Sequence, residues 1–539
     1  MDLNDTACYR AIVTRDRRFD GRVFTAVKTT GIYCRPICPA RTPKRENVRF
    51  YPSAAAAQEA GFRPCLRCRP ETSPDLGAWR GTSNTVSRAL ALIESGGLDE
   101  ASLAALCERL GVGERQLRRL FKQHLGASPV AVAQTRRVLL AKQLIHDTQL
   151  PMAEVALAAG FGSVRRFNET FQALYGRPPG ELRRSRKADV SATAAGELTL
   201  RLPYRPPYDW NAILAFLAMR AIPGVESVSN NSYARTVNID GANGAIFVTP
   251  GRGDFLEVTV RFPRLASLPA IIARVRRVFD LAAEPAVIGA HLSEDKTLAP
   301  LVAARPGLRV PGAWDGFELA IRAILGQQIT VVAARGLAAK LVAAFGSTVE
   351  DARTRAAGLT HVFPDAAVVA SADLSVLGMP RARIQALQSL AQAQVQDPAL
   401  FSVRRDLDDA IAQLCALRGI GEWTAQYIAM RQLRESDAFP VGDVALLRAL
   451  GEIDGTRPTP EAMLKRAERW RPWRAYAAIH LWASLAKPDA THTKTEARHA
   501  KTQHTSGSGT PSATPKPRAR ERAGEKRNTR GAAHDRRVA

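Results

Sequence analysis

Apolar positions in "LDEASLAALCERLGVGERQLRRLFKQHLG" recur at helical spacing on both sides of a Gly-Val-Gly turn. That pattern predicts two amphipathic helices meeting at a tight corner. About fifty residues on, "LPMAEVALAAGFGSVRRFNETFQALYG" repeats the layout, with Ala153–Ala159 as a short helix, Gly160–Gly162 as the turn and Val164–Tyr175 as the second helix. From residue 197 the period shortens to two in "ELTLRLPY", "ARTVNID", "GAIFVTPG" and "DFLEVTVRF", which read as strands. From "DGFELAIRAILGQQIT" onward the pattern is helical again. Beyond residue 488 large apolar residues almost vanish, so the tail is expected to stay disordered.

Two stretches rich in turn formers and small residues, "RPETSPDLGAWRGTSN" at 69–84 and "RRSRKADVSATAAGE" at 183–197, divide the rest. The expected organisation is multidomain, as 539 residues exceed what one core supports. A small α/β domain occupies 1–75 and an all-α double helix-turn-helix domain 84–186. An α+β unit follows, with a sheet lobe at 197–310 and a helical lobe at 311–487, and then a disordered basic tail at 488–539. Lys and Arg number 76 against 51 Asp and Glu, a formal charge of +25 that favours a polyanionic partner. The start "MDLNDTACYR" lacks the basic and apolar regions of a signal peptide, and no run reaches the ~18–20 apolar residues of a membrane span. A cytoplasmic, nucleoid-associated bacterial protein is expected. There thiols stay reduced, and clustered cysteines point to metal or catalysis.

Cys34-x3-Cys38 and Cys65-x2-Cys68, separated by 26 residues, fit a tetrahedral four-thiolate zinc site, with the segment between the pairs supplying a supporting sheet. Four thiolates on one zinc carry a net charge near −2, so the sulfurs stay nucleophilic at neutral pH. "FTAVKTTGIYCRPICPARTPKRENVRFY" with "AGFRPCLRCRP" resembles the N-terminal methyl-acceptor domain of the Ada family over residues 5 to 70. The resemblance implies that Cys34 takes a methyl group from a DNA methylphosphotriester by direct displacement. Arg35, Arg41, Arg45 and Arg63 flank the cluster as phosphate contacts or as solvated surface charges. Methylation would take the cluster's charge from about −2 to about −1, lowering repulsion from DNA and switching on promoter binding. Ada proteins also carry an alkylguanine methyltransferase with a Pro-Cys-His-Arg site; this chain has no such tetrapeptide.

The paired helical units, joined by the helix "VAVAQTRRVLLAKQLI", resemble the AraC-type DNA-binding domain. In that resemblance Gln116, Arg118 and Arg119 lie on the first recognition helix, and Arg165, Arg166 and Asn168 on the second.

"LCALRGIGEWTAQYIAMRQL" holds a helix-hairpin-helix pattern in which Gly419 and Gly421 let backbone amides approach a phosphate. Asp443 follows in "FPVGDVALLRAL", where it also reads as a helix cap. With the flanks "DGFELAIRAILGQQIT" and "AERWRPWRAYAAIHLW", the region from 197 to 487 resembles the AlkA-type 3-methyladenine DNA glycosylases, which flip a damaged base out of the duplex. The resemblance makes Asp443 the carboxylate that stabilises an oxocarbenium-like sugar. It places Trp423, Tyr427 and Trp482 around a cationic base, although each also suits a core. It puts Gln328 where the family has a wedge leucine, and Ala483 where it has an aromatic residue. Carbonyls around Cys415, Leu417 and Ile420 match a monovalent-cation site.

The implied partners are double-stranded DNA, damaged and promoter, and RNA polymerase; a monomer with no membrane contact is expected. Two other readings stay open: a purely structural zinc ribbon, and a transcription regulator whose glycosylase-like domain only binds DNA. Asp443 speaks against the second, since binding alone does not require it.

Overall fold

Phe24, Ala26 and Tyr33 point inward from two short strands and seed the first domain. The computed structural model describes residues 4–74, 84–99, 101–184, 197–229, 231–402 and 406–485. β1 (Phe24–Val27) and β2 (Ile32–Cys34) are antiparallel, β3 (Val48–Tyr51) pairs with the other edge of β1, and β4 (Arg63–Pro64) adds parallel to β2. The segment between the cysteine pairs supplies only part of this sheet; β1 and β2 come from residues before and at Cys34. Helix Ala54–Glu59 buries Ala54 and Ala57 against it, small side chains that let helix and sheet approach closely, while Ala55 and Ala56 join the core of the helix-turn-helix domain.

The two helix-turn-helix units form as the pattern predicts. Leu103–Leu110 and Glu114–Leu125 make the first, Met152–Ala158 and Val164–Tyr175 the second, and Pro129–Asp147 links them. Ser102, Ser128 and Ser163 cap three of these helices by accepting a backbone N–H of the first turn. Helices Asn84–Glu94 and Pro179–Arg184 flank the pair.

The third region carries a five-stranded antiparallel sheet. Its strands are β5 (Glu197–Pro203), β6 (Glu226–Ser229), β7 (Ser232–Ile239), β8 (Ala242–Pro250) and β9 (Phe255–Arg261), in the order β5-β9-β8-β7-β6. Four of them fall on the alternating segments, and β6 is an addition. Leu144, Val155, Phe167, Phe171 and Leu182 of the helix-turn-helix domain share one core with Leu198, Leu200, Ile271 and Phe279 of this lobe.

In the helical lobe, Leu407–Cys415 and Glu422–Ile428 form the hairpin. A π turn, Ala429–Leu433, follows it, and the chain then runs through Asp443 into Val444–Asp454. Gly316–Leu325 passes through the lobe's core with almost every side chain buried. Among the described residues no helix is long and apolar enough to cross a membrane. The expected tail lies outside the described residues.

Candidate functional site

Cys34 ends β2, Cys38 follows in the next turn, and β4 delivers Cys65 and Cys68, so that all four sulfurs lie within 4.8 Å of one another. A tetrahedron of Zn–S bonds of about 2.3 Å has edges of about 3.8 Å, so the donor set fits one zinc with four cysteine ligands. Hydrogen bonding with Cys38 pushes Cys34 up, while that with Cys34 brings Cys38 down to about 7. Backbone N–H groups reach three of the sulfurs: Ala40 to Cys38, Arg67 to Cys65 (3.3 Å) and Arg35 to Cys68 (3.3 Å). Among the described residues Cys34 has no such donor, and it is half-buried where Cys65 and Cys68 are buried.

The arginines around the cluster divide by environment. Arg41 is exposed. Arg45 pairs with Asp5 (3.1 Å) and lies over the Tyr9 and Phe50 rings, and Arg63 lies over Tyr175. Arg35 departs from the sequence expectation of a phosphate contact. Its side chain is 10% exposed and its donors go to Asp20, the Cys68 carbonyl (3.2 Å) and Thr72 Oγ1 (2.6 Å). It braces the cluster's second loop.

On the recognition helices Gln116, Arg118, Arg119, Arg165, Arg166 and Asn168 are all exposed. Leu117, Phe121 and Phe167, Phe171 turn the opposite faces inward. Arg118 and Arg165 each pair with a glutamate on their own helix, Glu114 and Glu169.

Asp443 is both cap and hub. As N-cap of Val444–Asp454 its Oδ1 accepts the Leu446 N–H (2.9 Å) and the Trp482 indole N–H (3.0 Å), while Oδ2 accepts the Trp423 indole N–H (2.9 Å). A carboxylate offers about four lone-pair directions, so three fixed donors leave one, on Oδ2, for a reacting group. Trp423 stacks on Tyr427 with ring centres 5.2 Å apart and planes at 10°, a flat wall beside the carboxylate. Burial pushes the Tyr427 phenol up, but Arg431 and Arg220 outweigh it and hold it below its ordinary value.

The hairpin turn needs its glycines differently. Gly419 has φ +84°, and a Cβ there would meet the Ala386 Cβ at 2.6 Å; one at Gly421 would meet nothing within 4 Å, which leaves that backbone open. The Leu417 carbonyl accepts the Ile420 N–H (3.1 Å), so of the three carbonyls expected around a cation one already serves the turn. Gln328 is exposed at φ 60°, between Gln327, whose Nε2 donates to the Gly419 carbonyl (2.7 Å), and the helix cap Thr330.

Sequence reasoning missed two sets of residues. Helix Trp210–Arg220 of the sheet lobe brings Phe216 to the aromatic wall, with Arg220 3.7 Å and Arg431 4.9 Å from its ring centre. Nothing local marks this approach across lobes. In a stretch read as a break, Glu71 is buried against Lys142 of the linker helix, and the half-buried Arg69 pairs with Glu71 and Asp147.

A thiol cluster able to hold zinc, paired recognition helices and an indole-gripped aspartate beside a glycine hairpin define a DNA-directed repair and regulatory protein. Residues 7–71 match the metal binding domain of Ada, 106–185 a helix-turn-helix domain, 199–315 the AlkA N-terminal domain and 321–475 the HhH-GPD superfamily of base excision DNA repair proteins. The chain is 42% identical over 483 residues to the probable bifunctional transcriptional activator/DNA repair enzyme AlkA of Mycobacterium tuberculosis, covering 89% of this chain and 96% of that one. It belongs to that family. It is also 35% identical over 288 residues to the DNA-3-methyladenine glycosylase 2 of Escherichia coli (52% and 95% covered). With the E. coli bifunctional activator/DNA repair enzyme Ada it shares 39% over 159 residues (30% and 43% covered).

Proposed function

We propose that this chain answers DNA alkylation in three ways. Cys34 takes up a methyl group from DNA methylphosphotriesters, the paired recognition helices carry the signal to promoters, and the Asp443 site excises alkylated purines of the 3-methyladenine type. The observation that carries the reading is the Asp443 carboxylate, held by two indoles and a helix N-terminus at the edge of a flat aromatic wall. A purine that already carries positive charge leaves without much acid catalysis. What the site must supply is a wall to stack on and an oriented negative charge beside the sugar.

At the cluster, bound zinc would keep the sulfurs as thiolates. Hydrogen bonds to a thiolate reduce its nucleophilicity, so the sulfur without a backbone donor, Cys34, is the better nucleophile. An S–CH3 bond forms as the O–CH3 bond of the triester breaks, and the phosphodiester leaves as an anion with no proton to place. On this reading the protein acts as a monomer in the bacterial cytoplasm on double-stranded DNA, with RNA polymerase as its promoter partner. Arg41, Gln116, Arg119, Arg166 and Asn168 support DNA contact by their exposure.

The test is direct. Incubation with a duplex bearing a methylphosphotriester should place one methyl on Cys34 by peptide mass mapping, and methylated DNA should release 3-methyladenine. A chain that performs neither reaction removes the reading.

A further inference from the structure

The cysteine domain grips the helix-turn-helix pair through a side chain that neither proposed reaction uses. Lys142, on the linker helix Pro129–Asp147, is 0% exposed. Its Nζ donates to the Cys65 carbonyl at 2.9 Å and to Glu71 Oε2 at 2.5 Å. Glu71, 1% exposed, also accepts from Arg69 Nε (3.0 Å), whose Nη2 reaches Asp147 at the end of the same helix (2.8 Å). One helix thus holds Cys65–Glu71, the segment bearing two of the four cluster cysteines, at both Lys142 and Asp147. The same domain touches the last residue of each recognition helix. Ser53 Oγ donates to the Leu125 carbonyl (2.6 Å), and the Arg63 guanidinium lies 5.8 Å from the Tyr175 ring centre.

We propose that Lys142 is a positioning residue that transmits the state of the four-cysteine cluster to the linker helix, and so to the relative placement of the two recognition helices. The inference rests on the reading that Cys34 takes up a methyl group. A thioether is a weaker donor than a thiolate, so methylation of Cys34 would shift the hold on a bound zinc towards Cys38, Cys65 and Cys68. The ammonium is bound to the Cys65 backbone and to a carboxylate in a dry site, where leaving either partner strands a buried charge. Lys142 therefore follows the Cys65 loop. A helix is stiff and close-packed, so a displacement at Lys142 passes to both of its ends rather than dissipating.

The experiment is hydrogen exchange on the full chain before and after reaction with a duplex carrying one methylphosphotriester, with methyl uptake on Cys34 and zinc content measured in parallel. Methylation should change exchange across 129–147 by about tenfold in the wild type. Lys142→Met should take up the methyl and hold one zinc yet lose that change, and Lys142→Arg should restore it. Methyl uptake without altered exchange at 129–147, or an unaltered response in Lys142→Met, overturns the proposal. Zinc removal by a chelator is an arm independent of methyl transfer: it should loosen 129–147 in the wild type and less in Lys142→Met. If Cys34 gains no methyl, the functional reading fails, while this arm still decides the coupling. If Lys142→Met does not fold, the wild-type and Lys142→Arg responses decide it.

Discussion

Asp443 shows how much one side chain can be asked to do. Asp443→Asn keeps an oxygen for the Leu446 and Trp482 N–H groups, and Asn is as good a cap as Asp. Its amide nitrogen, however, meets the Trp423 N–H, donor against donor, and the negative charge is gone. Release of 3-methyladenine should fall about 10²–10³-fold with little change in melting temperature; single-turnover excision and calorimetry check the two halves. His480, 5% exposed on the helix that carries Trp482, gives a pH signature. Burial lowers it from 6.5 to about 4. The folded state thus prefers the neutral ring: its contribution is fully present above pH 6.5 and is lost as pH falls towards 4, amounting to about 3 kcal/mol. His480→Gln should flatten the loss of stability between those pH values in denaturant titrations. The cysteines were legible in the sequence because a metal demands residue types at set spacings, and Asp443 was legible as a cap from its place before an apolar helical run. Arg35 was not: its charge says nothing about where the guanidinium goes, and the structure spends it on Asp20.

At the scale of elements, the recognition helices came straight from periodicity, since each buries its own stripe of Leu and Phe. Their starts were legible too, from the Gly-Val-Gly and Gly160–Gly162 turns, where Gly111 and Gly160 take left-handed backbone. β6 and the approach of Trp210–Arg220 to the hairpin were not, because one is a four-residue strand and the other is fixed by contacts between lobes. On the exposed faces, Arg119 and Arg166 make no ion pair among the described residues, whereas Arg118 and Arg165 are tied to glutamates on their own helices. The untied pair should therefore carry more of the phosphate contact. Arg119→Ala with Arg166→Ala should weaken binding to a duplex and lower the slope of log K against log salt by about two, at about 0.9 per phosphate. The same change in Arg118 and Arg165 should lower it less; fluorescence anisotropy over a salt series separates them.

For the whole molecule, composition suggested domains strung on linkers, yet the helix-turn-helix domain and the sheet lobe share one core, with Leu182 and Leu198 in the same cluster. Turn-former content identifies where a chain bends, not whether the pieces on either side bury surface together. The helix-turn-helix domain also meets the helical lobe, through an ion pair. Arg88, on helix Asn84–Glu94, donates to Glu435 at 2.6 Å, with side chains 6% and 11% exposed. Glu435 lies in the segment that leads from the hairpin to Asp443, and that segment is clamped again by Arg434 to Asp280 and by Arg474 to Asp437 (2.8 Å). Burial pushes the Glu435 carboxyl up even with Arg88 beside it, so desolvation consumes much of what the pair gains. Two consequences diverge. Arg88→Ala strands a buried carboxylate and should cost about 3–5 kcal/mol of unfolding free energy, while Arg88→Met with Glu435→Leu, apolar and similar in volume, should stay close to wild type. If excision depends on this docking as well as on folding, the single variant should lose activity under conditions where it is still folded, and the double variant should keep it. Unfolding curves and excision rates on the same three proteins decide between a contact that only stabilises and one that also holds the Asp443 segment in place.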